Sequence, residues 1–231
     1  MNRTSWWSTA IFCLVAVGLL TGATTEKQGC GAGLDNREGE PGIDVGGVAG
    51  ADWKVTYSDK MEVIVKNAGA AAATYNFAWA AGGTFDVDGV AIDLNDWCAR
   101  DDVVCPFDVF PGQVRMTQPG SQLHLLYVDY TAKGPLAELK EVRLLGNVDS
   151  DDDFSIALGI GAAAAGTCGL LGVSYATGHI NGDGGDPPKG HSLSGDIVTA
   201  YSGGCVLLGN SGAVGAGLTV EFRIPFTATR L

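Results

Sequence analysis

The segment Trp53–Lys66, WKVTYSDKMEVIVK, decides the fold class of this chain of 231 residues. Large apolar side chains alternate with polar ones on both sides of the polar pair Ser58–Asp59. The second half places three apolar residues on one face: Met61, Val63 and Val65. A period of two is typical of a β-strand with one buried face. The segment therefore predicts two consecutive half-buried strands.

Further segments repeat this pattern, and Gly, Pro, Asn or Asp residues bound each of them. They are Tyr75–Trp79, Phe85–Val87, Val90–Leu94, Gln113–Thr117, Leu123–Tyr130 and Glu138–Leu145. Leu136–Leu145 also contains good helix formers, so helix and strand both stay open there. Many short strands separated by turn residues predict an all-β fold. We expect a single-domain antiparallel β-sandwich over residues 52–231, with jelly-roll or immunoglobulin-like topology left open.

The composition restricts the class of partner. Hydrophobic residues make up 46% of the chain and charged residues 17%, as in a globular protein with a real core. The net charge of −12 opposes binding to nucleic acid, because the phosphate backbone would repel the protein. The 35 glycines follow no G-X-Y period, which excludes a collagen-like chain.

The N-terminus has the layout of an export signal. Arg3 lies before the apolar run Ala10–Leu20, and Thr21–Ala23 supplies small residues for cleavage. We therefore expect a signal peptide at residues 1–23, followed by a flexible leader rich in Gly and acidic residues at 24–51. This predicts a periplasmic, cell-surface or extracellular location.

The cysteines fit an oxidising compartment. Cys13 leaves with the signal peptide, and we expect two structural disulfides among four of the remaining cysteines. These pairs are Cys98 with Cys105 and Cys168 with Cys205. Cys30 is left over in the leader, as a free thiol or as a lipidated residue that tethers the chain to a membrane.

Residues 154–173 (FSIALGIGAAAAGTCGLLGV) contain no charged residue, and their length would suffice to cross a bilayer. A membrane-embedded protein is therefore one alternative. Acidic flanks without Lys or Arg favour the other interpretation, a pair of buried strands interrupted at 161–166.

Two acidic loops are candidate Ca²⁺ sites, since flexible loops with several carboxylate oxygens suit this cation. Their candidate ligands are Asp149, Asp151, Asp153, Asp183 and Asp186. Neither loop has the EF-hand spacing, so solvated turn residues are the simpler interpretation and no cofactor is expected.

Catalytic motifs are weak. His124 alternates within a strand-like segment, while His179 and His191 flank a Gly-Pro loop, and no GxSxG motif occurs. The tryptophans Trp53, Trp79 and Trp97 suggest either a sugar-stacking platform or, more simply, core packing.

The sequence thus predicts an exported cell-envelope or extracellular protein with a non-enzymatic binding or structural role and an unidentified ligand or envelope partner. A secreted hydrolase that uses the His179/His191 loop is the competing function. Contact with a membrane is expected only through a lipid on Cys30.

Overall fold

The computed structural model describes residues 43–67, 70–78, 81–87, 89–99, 110–119, 124–165, 168–185, 188–202 and 218–231. The strands in this part of the chain are β1 (Ala51–Tyr57), β2 (Lys60–Asn67), β3 (Ala70–Ala78), β4 (Thr84–Val87), β5 (Val90–Asp93), β6 (Gln113–Thr117), β7 (Leu125–Thr131), β8 (Glu141–Val148), β9 (Asp153–Ala165), β10 (Cys168–Gly182), β11 (Gly190–Ser202) and β12 (Leu218–Arg230). The all-β prediction is confirmed.

The predicted β-sandwich is wrong, because the main sheet closes on itself. Eight strands form an antiparallel barrel in the order β1-β6-β7-β8-β9-β10-β11-β12, and β12 pairs with β1 again. Closure depends on β1, whose first half pairs with β6 and whose second half pairs with β12. A barrel of this kind satisfies both edges of the sheet without a second sheet packed against it.

Strand β12 has two partners along one edge because β1 and β2 lie end to end beside it. Its C-terminal half pairs with β1, and its N-terminal half pairs with β2. The break between β1 and β2 faces Pro225, whose carbonyl oxygen accepts a hydrogen bond of 2.8 Å from the Ser58 amide. Proline has no amide hydrogen. The break between β1 and β2 therefore lies at the position where β12 cannot donate a backbone hydrogen bond.

Beyond the barrel, the long strands continue into an open sheet that β2 and β3 extend. The hairpin β4–β5 contributes to a second core on this sheet, against residues of β2 and β12. In this core Phe85 meets Phe222 edge to face, with ring centroids 5.9 Å apart. The molecule therefore has one core inside the barrel and another on the extension.

Residues 43–45 pack against the barrel core. Ile43 and Val45 are fully buried, and Asp44 forms a parallel bridge with Lys189. The indole nitrogen of Trp53 donates to the Val45 carbonyl oxygen at 3.1 Å. These residues belong to the segment predicted as a flexible leader. Residues 1–42, which include the predicted signal peptide and Cys30, lie outside the described part of the chain.

Two short helices complete the described structure. A 3-10 helix at Gly134–Leu139 precedes β8, so the ambiguous segment Leu136–Leu145 divides between helix and strand. The helix α1 (Leu94–Cys98) follows β5 directly. The Asp93 carboxylate caps it by accepting hydrogen bonds from the amides of Asn95 and Asp96.

Candidate functional site

The loop between β8 and β9 carries three of the predicted calcium ligands. One oxygen of Asp149, Oδ1, accepts hydrogen bonds from the backbone amides of Asp151 and Asp153, at 2.9 and 3.0 Å. Asp152 has a positive φ of 62°, which the tight turn requires. The Asp149 carboxylate therefore holds the loop in shape, as aspartates commonly do in turns.

The loop between β10 and β11 uses its aspartate in the same way. The Asp183 carboxylate accepts hydrogen bonds from the amides of Lys189 and Gly185, at 2.9 and 3.0 Å. These bonds lower the pKa of Asp183, the one from Lys189 most strongly. Asp186, the last predicted ligand, lies outside the described residues.

Within the described ranges, no three His, Cys, Asp or Glu side chains lie close enough together to hold a metal ion. The oxygen of Asp149 is occupied by two amides, and Asp153 bonds to a histidine instead. The calcium site therefore stays a prediction, whereas the capping role of Asp149 and Asp183 is directly visible.

The closest approach to catalytic geometry is a row of three side chains across β9, β10 and β11. The Nδ1 atom of His179 lies 2.9 Å from Oδ1 of Asp153. Ser194 is directly opposite His179 on the next strand, and Asp153 is directly opposite it on the other side. All three residues are exposed. The row thus contains an acid, an imidazole and a hydroxyl on one outer face of the barrel.

The structure does not bring the other two histidines into this row. His191 is exposed near the end of the β10–β11 ladder, and no hydrogen bond or ion pair among the described residues joins it to His179. His124 is half-buried just before β7, and its carbonyl oxygen accepts a bond from the Val148 amide. The sequence did not single out Ser194, and only the strand register shows its position.

Trp53 does not take part in a sugar-binding platform. Trp53 is fully buried in the barrel core, which confirms core packing for this residue. The side chains of Trp79 and Trp97 lie outside the described part.

The predicted disulfides cannot be followed in the structure. Cys105 and Cys205 lie outside the described residues, as do the side chains of Cys98 and Cys168, and no disulfide occurs among the side chains described. Both pairings stay predictions.

A buried charged group lies on the extension sheet. Glu221 is 6% exposed and forms ion pairs with Lys66 and Arg223. Burial raises the pKa of Glu221, but the hydrogen bonds from Lys66 and Arg223 outweigh this and lower it. Because both cations are partners of the same carboxylate, this cluster serves to compensate a buried charge.

Apolar side chains are exposed on the outer face of the sheet beside β9. Leu145 is 62% exposed, Ile160 72% and Leu171 48%, and we call these three residues the outer apolar patch. The strand register shows how these three residues are placed on neighbouring strands. Leu145 is opposite Ala157, Ile160 is opposite Val173, and Leu171 lies two residues before Val173 on β10. Clustered exposure of this kind is typical of an interaction surface.

The segment 154–173, predicted as buried strands or a membrane span, forms most of β9 and the first part of β10, with several side chains exposed. Among the described residues, no helix is long and apolar enough to cross a membrane.

A comparison with known protein families and with curated protein sequences finds no match for this chain.

Proposed function

We propose that this chain is an exported β-barrel protein of the cell envelope or the extracellular space, with a non-enzymatic binding or structural role. The observation that carries the proposal is the outer apolar patch of Leu145, Ile160 and Leu171, which leaves large apolar side chains in water. The export signal predicted at residues 1–23 supports the location.

The barrel interior supports a role that does not depend on a ligand held inside. Buried apolar side chains from the barrel strands, among them Trp53, Phe154 and Phe226, pack into one core. Ile43 and Val45 add to this core from the segment before β1. The free surface for recognition is therefore the outside of the sheet.

Four polar side chains that form several hydrogen bonds or ion pairs support the same proposal. Gln118, Asp149 and Asp183 hold backbone segments in place, and Glu221 is neutralised by two cations. Each of these groups has a structural task, so none of them is poised for proton transfer to a substrate.

The proposed role is tested by cell fractionation in the organism that makes the protein. We expect the wild-type chain to be exported and retained with the envelope or with an extracellular assembly. The double variant Leu145→Lys/Leu171→Lys should be released into the soluble exported fraction. The control is Val48→Lys/Leu139→Lys, which changes two exposed apolar residues outside the patch. Equal retention of both variants, or a cytoplasmic wild-type protein, would contradict the proposal.

A secreted hydrolase is the second candidate, and the row Asp153–His179–Ser194 favours it. The carboxylate orients the imidazole as in a catalytic triad. The side chains are 60% and 51% exposed at Asp153 and His179, so water screens their interaction. Covalent labelling with a fluorophosphonate probe decides between the two functions. Labelling that Ser194→Ala and His179→Ala both abolish would establish the hydrolase, and absence of labelling supports the non-enzymatic role.

A further inference from the structure

Strand β9 continues past the end of its ladder with β8. β8 pairs with β9 only where Leu145–Val148 meet residues 154–157. From residue 158 to 165, β9 pairs with β10 on one side, and among the described residues no strand pairs with its other side. Within the described part of the chain, this stretch of β9 is therefore an unpaired edge, which we call the free edge.

The free edge lacks the features that usually keep sheet edges apart. Residues 154–173 contain no Asp, Glu, Lys, Arg or Pro. Charged side chains and prolines are the common means by which proteins prevent edge-to-edge pairing. The sequence of this edge therefore presents none of these obstacles to another strand.

A β-bulge places the outer apolar patch beside the same edge. The register shifts between Ser174 and Tyr175, so that Ala157 is opposite Tyr175 while Ile160 is opposite Val173. Residues 157 and 160 consequently lie on the same face although three positions separate them. The most exposed apolar side chain of the patch, Ile160, thus lies on the free edge itself.

We propose that the free edge of β9 pairs with the same edge of a second copy of this chain, in antiparallel orientation about a two-fold axis. An antiparallel pair of identical strands is self-complementary, as a closed symmetric dimer requires. The two-fold axis stands perpendicular to the sheet, so the apolar patches of both copies meet on one side of a continuous sheet.

The distribution of charge favours this strip as the place where two copies meet. A protein with a net charge of −12 repels its own copy over most of its surface. Residues 154–173 offer an uncharged strip on which two copies can meet. A charged peptide would find no opposite charge along this strip, whereas the uncharged edge of a second copy matches it.

The test is the mass of the purified mature chain by sedimentation velocity over a wide range of concentration. Cys30 is replaced by Ser in every variant, so that this thiol does not link copies covalently and the predicted disulfides stay intact. We expect a concentration-dependent dimer for the wild type. In Ile160→Lys the dimer should weaken by roughly tenfold or more, because each copy loses an apolar contact across the edge and brings a charge into the uncharged strip.

Leu139→Lys is the matched control, since Leu139 is 59% exposed outside β9 and its change should leave the dimer intact. Hydrogen exchange adds a direct readout: the amides of residues 158–165 that point away from β10 should be protected in the wild type and exchange faster in Ile160→Lys. A monomer at every concentration, or a dimer that Ile160→Lys does not weaken, would overturn the proposal. So would open-ended oligomers.

This inference rests on the proposed binding role, because it names the partner of the outer apolar patch. The experiments can refute the dimer without refuting the proposed function. A purified chain that stays monomeric but is still retained by the envelope through the patch would overturn the dimer and leave the proposed function standing.

Discussion

The side-chain amide nitrogen of Gln118 donates a hydrogen bond of 2.8 Å to the carbonyl oxygen of Ile43, which lies 75 residues earlier in the chain. The amide oxygen of the same side chain accepts a bond of 2.8 Å from the Val45 amide. Gln118 is fully buried, and it satisfies two backbone groups that have entered the core with their apolar side chains. One polar side chain thus fixes the segment before β1 to the barrel.

Replacing Gln118 with Ala should lower the free energy of unfolding by about 2–4 kcal/mol, because two buried backbone groups lose their partner. Urea denaturation measures the change. Gln113→Ala, at an exposed position of β6, is the control and should stay within about 0.5 kcal/mol of the wild type. A similar loss in both variants would contradict this assignment.

Truncation should show where the stable domain begins. A chain that starts at residue 43 keeps Ile43 and Val45 in the core and serves as the reference. A chain that starts at residue 51 loses Ile43 and Val45 from the core and should melt clearly lower. Circular dichroism during heating compares the two. Equal midpoints would show that residues 43–50 add nothing to stability.

Gly195 should tolerate no side chain. A β-carbon there would collide with the Thr177 carbonyl oxygen and lie 3.0 Å from the Phe154 ring. Gly195→Ala should therefore cost about 3 kcal/mol or more. A β-carbon at Gly112 meets nothing within 4 Å, so Gly112→Ala should be neutral or slightly stabilising. Denaturation midpoints of the two variants check this contrast.

Glu221 should make stability sensitive to acid. Its pKa is lower in the folded chain than in the unfolded one, so the ionised carboxylate stabilises the fold above the unfolded pKa of about 4.3. That contribution is lost as the pH falls through the folded pKa.

Glu221→Gln should therefore reduce stability at neutral pH by about 1–3 kcal/mol and flatten its decline below about pH 4.3. Urea denaturation over a pH series measures both effects, with Glu138→Gln as an exposed control. If stability declined in acid as steeply in Glu221→Gln as in the wild type, other carboxylates would be responsible for that decline.

The positions of several strands could be predicted from the sequence, but barrel closure could not. Alternation identified β1, β2 and β6 because each has one buried face and the other exposed or half-buried. Whether a sheet closes depends on β1 reaching both β6 and β12, and local patterns contain no such information. Strand β12 was not predicted, although Leu218–Ala228 alternates regularly. Pro225 argues against a central strand, because proline cannot donate to a neighbouring strand. The sequence does not show that the neighbouring strand is interrupted at Ser58, opposite this proline.

The candidate site was predicted only in part, for a similar reason. The aspartate-rich loops were visible in the sequence, yet a carboxylate that binds its own backbone has the same residue pattern as one that binds a cation. Asp149 and Asp183 show the first case. Ser194 became a candidate only through its register with His179. The outer apolar patch was missed because an apolar strand gives no sign of which face a bulge exposes.

The pairing of β1 with β12 determines when in folding the barrel can close. Strand β1 can complete its pairing only after β12 has been made, because the hydrogen bonds between Trp53–Tyr57 and Phe226–Arg230 close the barrel. Pairing across so long a loop is slow to form, and a partly made chain has an open seam. The barrel can therefore close only after the whole chain has been made.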